Sequence, residues 1–252
     1  TWGGEKFYFP RIQGADVCGI VVDVGKNADS GLIGRRVLVD PCIRDTKSEN
    51  WRDNAKYLGS EINGGFAQYC SVPFRNTYPV NSEMTDIELA SFPCSWATAE
   101  HMLTRSRLGK GQTLVVTGAS GGVGTALIQL AKLREAYVIA ITSSEKFDLV
   151  KDCGADSVLD RNEKELKGNI IELTQGPVDV LADVAGGNNF TQLFEAITKG
   201  GCYVTAGAIA GPIVDLDLRT LYLNDIEMHG CTVYEPSVFK TLIEYIEDER
   251  VK

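Results

Sequence analysis

A run of β-branched residues that closes in tightly spaced glycines, Val115-Val116-Thr117-Gly118-Ala119-Ser120-Gly121-Gly122-Val123-Gly124, leads into the helical apolar pattern Ala126, Leu127, Leu130 and Ala131. A buried strand that turns through glycines into a helix leaves unpaired backbone N–H groups at the positive end of the helix dipole, a setting that suits a pyrophosphate. In such a turn Gly118 permits the sharp reversal, Gly121 lets a diphosphate approach the backbone, and Gly124 lets the helix lie close on the strand. The pattern therefore predicts a dinucleotide site built on Gly118, Ala119, Ser120, Gly121, Gly122, Val123 and Gly124.

Two other glycine loops share some of these letters. A nucleotide-triphosphate loop needs Lys and then Ser or Thr after its last glycine, and Thr125-Ala126 stand there instead. The cofactor turn of short-chain dehydrogenases lies near the start of the chain and needs a downstream Tyr-x-x-x-Lys. Here more than a hundred residues precede the turn, and no tyrosine has a lysine four residues later.

From Thr113 onward apolar β-type runs alternate with helical patterns. Strands are predicted at Leu114 to Thr117, Tyr137 to Thr142, Ser157 to Leu159, Val178 to Val184, Cys202 to Thr205 and Ile226 to Val233. Helices are predicted at Thr125 to Arg134, Glu145 to Cys153, Glu163 to Leu173 and Phe190 to Thr198. This alternation implies an α/β fold with a doubly wound parallel sheet. Before residue 85 the texture changes to short strands, such as Gly19 to Val24 and Arg36 to Val39, broken by Gly, Pro, Asn and Asp. That half reads as an irregular β domain over residues 1–84. Residues 85–252 read as the dinucleotide-binding domain, opening with a helical hinge from Met84 to Leu108 that Pro93 interrupts.

Bulk properties narrow the function. The 252 residues, 44% hydrophobic, suffice for one large or two ordinary domains. A net charge of −9 with no clustered Lys and Arg argues against a nucleic-acid surface. No apolar stretch approaches the ~20 residues of a membrane span. The seven scattered cysteines, with no Cys-x-x-Cys pair, fit a reduced cytoplasmic setting. The start Thr1-Trp2-Gly3-Gly4-Glu5-Lys6 is neither a signal peptide nor an initiator methionine, so the chain is expected to be trimmed at its N-terminus.

The order of motifs resembles the medium-chain dehydrogenase/reductase superfamily, and within it the zinc-independent branch of quinone oxidoreductases and enoyl reductases. The matching stretches are Pro10 to Gly19 with Val24-Gly25, Gly34 to Val37, Gly64 to Tyr69, the glycine turn, Leu149 to Asp156, Asp183 to Gly187 and Gly200 to Val204. The resemblance covers nearly the whole chain. It implies a GroES-like catalytic domain, here incomplete, joined to a Rossmann domain, with assembly into a homodimer or homotetramer.

Departures from the zinc-dependent alcohol dehydrogenases are informative. Where those enzymes carry Gly-His-Glu, this chain has Gly14-Ala15-Asp16, and Ala15 offers no lone pair to a metal. Cys94 stands where the zinc branch has a further ligand; without its histidine partner it reads as a packed or cleft-lining thiol. The two histidines, His101 and His229, lie in other motifs, and Cys42 alone occupies the lobe where a structural zinc would need four thiolates. No metal site is expected.

Cofactor choice is read at the end of the second strand of the sheet, Thr142-Ser143-Ser144-Glu145-Lys146, where an acidic tip would favour the ribose hydroxyls of NAD. Hydroxyls and a lysine suit a 2′-phosphate, so NADP(H) is expected through Thr142, Ser143, Ser144 and Lys146; the resemblance adds Arg161 after the third strand, beside the adenine and its phosphate, with a solvated arginine as the alternative. Glu145 blunts that preference, or serves as a helix N-terminal residue. The resemblance places Thr98 near the nicotinamide, and Ala185, Gly186, Gly207 and Ala208 along the cofactor cleft. Asp16 is assigned to water, ribose or a domain-interface role, and Cys94 and Trp96 to the substrate pocket.

The expected function is metal-free hydride transfer from NADPH to the activated C=C bond of a small-molecule quinone, enone or acrylyl thioester. A zinc-type alcohol dehydrogenase and a non-catalytic NADPH-binding protein are the alternatives.

Overall fold

A computed structural model of the protein describes residues 9–45 and 47–252, so the N-terminal stretch Thr1 to Lys6 lies outside the described residues. In chain order the elements are β1 (Cys18–Ile20), β2 (Arg36–Val39), β3 (Cys42–Ile43), β4 (Lys56–Tyr57), β5 (Thr77–Pro79), α1 (Asp86–Leu89), α2 (Pro93–Arg105), β6 (Thr113–Thr117), α3 (Gly122–Leu133), β7 (Tyr137–Thr142), α4 (Phe147–Asp152), β8 (Ser157–Asp160), α5 (Leu166–Thr174), β9 (Val178–Asp183), α6 (Phe190–Phe194), β10 (Ile197–Thr205), α7 (Leu218–Leu223), β11 (Glu227–Gly230) and α8 (Pro236–Glu247). They form two compact units, Thr1–Ala97 with Val233–Lys252, and Thr98–Thr232. The division differs from a boundary at residue 84, because residues 85–97 and the segment from Val233 belong to the first unit.

The first unit carries an antiparallel sheet in the order β1-β2-β5 and a small β3-β4 hairpin. Val37, Leu38, Val39 and Leu58 are buried in this unit, as is one face of α8. Val238, Phe239, Leu242, Ile243 and Ile246 recur there at helical spacing, and all are buried. Pro236 sits at the first turn of α8, where a missing N–H costs nothing. The Tyr78 and Phe239 rings meet at 5.0 Å. Asp40 is the polar centre: it accepts from the Tyr234 hydroxyl at 2.8 Å, the Cys42 N–H at 3.0 Å and Arg44 at 2.9 Å. Asn76 ties the same turn together by donating to the carbonyls of Asp40 and Cys42 at 3.0 and 2.9 Å.

The second unit is a six-stranded sheet, all parallel, in the order β8-β7-β6-β9-β10-β11. Strand order reverses between β6 and β9, the point at which doubly wound sheets open a crevice at their carboxyl ends. The strands read as β-branched runs because both faces are covered: Leu114, Val115, Val116, Val138, Ile139, Ala140, Val180, Leu181 and Ala182 are essentially inaccessible. The α/β expectation of a doubly wound Rossmann sheet with a separate β domain is met by this architecture.

Several boundaries differ from the sequence reading. The helix after the glycine turn starts at Gly122, not Thr125, because its first turn is made by the glycines themselves. The helix expected to run to Thr198 ends at Phe194. Ile197, 4% exposed, instead pairs with Val178, and the register then shifts before Cys202 across Gly200 and Gly201, so β10 is longer than expected. β11 covers Glu227–Gly230 only, and β1 ends at Ile20, with Val21 still bonded to Arg35. The helical bridge from Met84 to Leu108 is broken at Pro93: α1, started by a capping box at Thr85 and Glu88, ends at Leu89, and Pro93 begins α2. Among the described residues no helix is long and apolar enough to cross a membrane. All seven cysteines are free thiols.

Candidate functional site

The glycine turn lies at the carboxyl end of β6, beside the switch point. Gly118 has φ +57°, and a Cβ there would stand 2.8 Å from the Val184 side chain. At Gly124 a Cβ would fall 2.4 Å from the Gly118 oxygen and 2.6 Å from the Ala119 Cα, so helix and strand approach as closely as their backbones allow. At Gly121 the nearest atom, the Gly118 oxygen, is 3.4 Å away, an ordinary contact. Gly121 is the N-cap of α3 and has no side chain to satisfy the helix end. The N–H groups of Gly122, Val123 and Gly124 thus lack intrahelical acceptors and face outward with the helix dipole, an arrangement that fits a diphosphate.

The neighbouring strand ends support this turn. Thr142 donates to the Ser120 hydroxyl at 2.9 Å, joining the tip of β7 to the loop. Asp183, the last residue of β9 and 1% exposed, accepts from the Thr117 hydroxyl, from the N–H groups of Ala185 and Gly186 at 2.9 Å each, and from the Tyr203 hydroxyl at 3.0 Å. Burial and that carboxylate push the Tyr203 phenol well above its ordinary pKa, so it stays a donor. Thr117 in turn accepts from the Val184 N–H at 3.0 Å. Beyond the strands, Ala210 donates to the Ala185 carbonyl at 2.8 Å and Gly187 to that of Gly211 at 3.0 Å, which sets the backbone of Gly207 and Ala208 beside that of Ala185 and Gly186. Sequence reasoning placed Asp183 in a matching stretch but gave it no task. An acidic residue closing an otherwise apolar strand was the available signal.

At the tip of β7, Ser143 is buried, and Ser144, Glu145, Lys146 and Arg161 are exposed. The Ser143 hydroxyl donates to Glu145 Oε1 at 2.7 Å. That bond first, then a backbone N–H and the charges of Lys146 and Arg161, hold the Glu145 carboxyl below its ordinary pKa. Arg161 is anchored through its backbone, donating its N–H to the Thr142 carbonyl and accepting from Asn189, both at 2.8 Å.

In the first unit the structure brings together two of the three residues assigned to the catalytic cleft. The Cys94 N–H, in the first turn of α2, donates to Asp16 Oδ1 at 2.7 Å, so a carboxylate distant in sequence caps this helix. Asp16 keeps an exposed face, yet the protein packed around it raises its pKa, and the Cys94 N–H pulls it back. Asp16 also lines a cavity of about 660 Å³ with Cys18, Lys26, Tyr69 and Cys70. Trp96 is 5% exposed and stacks on Phe92 at 4.6 Å, so it is packed into the core. Thr98 lies four residues beyond Cys94 on α2, half-buried and in the second unit. His101 is buried on α2, and His229 on β11 lies between Arg105 and Glu227 at 3.1 Å from each.

Burial, and then the Asp16 carboxylate, push the Cys94 thiol up to about 11. Cys94 is therefore protonated at neutral pH and is a poor nucleophile there. Its alkylation by iodoacetamide, followed by mass spectrometry, is expected to be about a hundredfold slower at pH 7.5 than that of an ordinary thiol. The rate should climb as pH approaches 11; labelling at an ordinary rate at pH 7.5 would contradict this assignment.

Residues 122–248 match the family Zinc-binding dehydrogenase, and residues 1–82 match the Alcohol dehydrogenase GroES-like domain. The first name implies a metal that these donors do not fit. Asp16 and the Cys94 thiol make two, Ala15 adds none, and among the described residues no group of three or more His, Cys, Asp or Glu is placed to hold an ion. A solved structure from Sinorhizobium meliloti 1021, provisionally described as an alcohol dehydrogenase, is 44% identical, with a TM-score of 0.90 over 97% of this chain and 68% of that one. An NAD-dependent alcohol dehydrogenase of Sulfolobus acidocaldarius is 28% identical over 98% of this chain and 74% of the relative. A quinone oxidoreductase-like protein 2 homolog of Nematostella vectensis is 28% identical over 98% of this chain and 66% of its own length. The sheet order, the glycine turn at its switch point and two domain matches in this sequence lead to one conclusion: the chain belongs to the medium-chain dehydrogenase/reductase superfamily, whose members are nicotinamide-dependent oxidoreductases.

Proposed function

We propose that the chain is the core of an NADP(H)-dependent reductase acting on an activated C=C bond, in a quinone, an enone or an acrylyl thioester, without a metal and as a homodimer or homotetramer. The observation that carries this reading is the donor set beside α2: the Asp16 carboxylate and the Cys94 thiol, with Ala15 where a third ligand would be needed. Bound NADPH supplies the hydride. The chain's own part is binding and orientation. The N–H groups of Gly122 to Gly124 take the diphosphate, and Ser143, Ser144, Lys146 and Arg161 take the 2′-phosphate. The backbones of Ala185, Gly186, Gly207 and Ala208 line the cofactor's path, and the Thr98 hydroxyl is assigned to the nicotinamide end.

Conjugate reduction places hydride on the β-carbon and collects charge on an enolate or phenolate oxygen, which hydrogen bonds can stabilise without a metal. A saturated ketone leaves a more basic alkoxide and gains more from a Lewis acid. A quinone, an enone and a saturated ketone tested side by side should therefore show NADPH oxidation with the first two, insensitive to a chelator. Preference for the ketone or its alcohol, lost on chelation, would favour the second reading, an alcohol dehydrogenase, which the name of the Sulfolobus relative supports.

A further inference from the structure

The tip of β7 gathers more positive and donating groups than its own acid needs. Ser143 is buried, and the Lys146 N–H closes the turn onto the Ser143 carbonyl at 2.9 Å. The Ser143 hydroxyl is engaged by Glu145 Oε1 at 2.7 Å, so the carboxylate folds back onto its own turn. Lys146 and Arg161 both act on the same carboxylate by charge, and the backbone bonds from Asn189 and to Thr142 keep Arg161 on that side. One hydroxyl donor and two cations around an anionic group with several acceptor oxygens is also what a phosphate monoester asks for. The Ser143 hydroxyl bond that holds Glu145, and the charges of Lys146 and Arg161 that act on it, are what such a phosphate would use.

Resting on the NADP(H) reading above, we propose that Glu145 is a built-in competitor for the 2′-phosphate. Its carboxylate occupies the Ser143 hydroxyl and the field of Lys146 and Arg161, and must be displaced when the phosphate binds. Glu145 is then a specificity-setting residue that holds the preference for NADPH below what its neighbours alone would give. The contrary role is a carboxylate that reaches out to the ribose hydroxyls of NAD. The two roles predict opposite results for the same substitution.

The test is equilibrium binding, by calorimetry, of adenosine 2′,5′-bisphosphate, 5′-AMP, NADPH and NADH to the intact protein and to Glu145→Ala and Glu145→Gln. Glu145 is exposed, so both variants should fold, and their thermal transitions check this. Removing a like charge a few ångströms from a dianion should tighten the bisphosphate and NADPH by about five- to tenfold in Glu145→Ala. Glu145→Gln, which keeps an acceptor for Ser143 but loses the charge, should give a smaller gain. 5′-AMP and NADH should stay within about twofold, and the gain should shrink at high salt because the effect is electrostatic. Weaker binding of NADH and 5′-AMP by the variants would overturn the proposal, as would no change with any of the four ligands. A wild-type protein that prefers NADPH, with unchanged variants, sinks only this inference. A wild-type protein that prefers NADH, with variants that lose it, sinks the NADP(H) reading as well.

Discussion

Replacing Gly124 by alanine is expected to destabilise the second unit by about 3 kcal/mol or more, whereas alanine at Gly121 should leave stability nearly unchanged and weaken dinucleotide binding about tenfold. The two glycines lie three residues apart but meet different surroundings. A methyl group at Gly124 would fall 2.4 Å from the Gly118 oxygen and 2.6 Å from the Ala119 Cα. Those atoms are backbone and cannot rotate away, so α3 would have to lift off β6, along with the buried Ala126, Leu127 and Leu130. At Gly121 the added carbon meets nothing closer than 3.4 Å and projects from the helix N-cap toward the place assigned to the diphosphate. Urea titration and nucleotide binding on the two variants separate the effects. A stable Gly124→Ala protein, or a Gly121→Ala protein that binds NADPH as tightly as wild type, would contradict the packing described for the turn.

Asp183→Ala should cost about 4 kcal/mol, because it takes the acceptor from the Tyr203 hydroxyl and the Gly186 N–H, and leaves the Ala185 N–H only its longer bond to the Thr117 hydroxyl, at roughly 1–3 kcal/mol for each lost acceptor before relaxation. Asp183→Asn should cost much less. Its carbonyl oxygen can still accept from the two backbone groups, while its amide can turn to Tyr203, whose oxygen can accept in place of donating. If Asp183 holds the 184–186 turn in place for the cofactor, NADPH affinity should fall in the alanine variant and largely return in the asparagine one. Equal losses in both variants would mean that the negative charge itself matters, and equal stability in all three proteins would dismiss the network as incidental.

The parts of the structure that could be read from sequence are those with a short-range physical signature. β6, β7 and β9 are buried on both faces, which demands unbroken apolar and β-branched runs, and their positions follow from Val115-Val116, Val138 to Ile141 and Val180 to Ala182. The glycine turn is similarly local, since strand, reversal and helix follow within a dozen residues. Trp96 illustrates the opposite case. A large aromatic in a motif-like stretch reads as a pocket wall, but only its stack on Phe92 shows that it fills the core. The start of β10 was also hidden, because Ile197-Thr198-Lys199 fits a helix end as well as a strand and only pairing with Val178 decides. Asp183 gathers partners from two other strands and from the turn after its own, and the hydroxyl that engages Glu145 precedes it by two residues in a turn whose shape no periodicity encodes.

The bond between Tyr234 and Asp40 joins residues 194 positions apart, and the apolar face of α8 with Val251 completes an interior begun by β2. During synthesis on a ribosome the two units therefore mature on different schedules. The second unit, one unbroken segment from Thr98 to Thr232, has every strand of its sheet as soon as that segment has emerged. The first unit emerges earlier but cannot finish. Leu38, paired across the sheet with Tyr78, waits with it for Phe239, and Asp40 and Arg44 wait for Tyr234. For the interval in which almost two hundred residues are added, this half is an open, partly apolar surface. It is the stretch of nascent chain where a holdase would be expected to bind, and where a stalled or shortened product would be cleared.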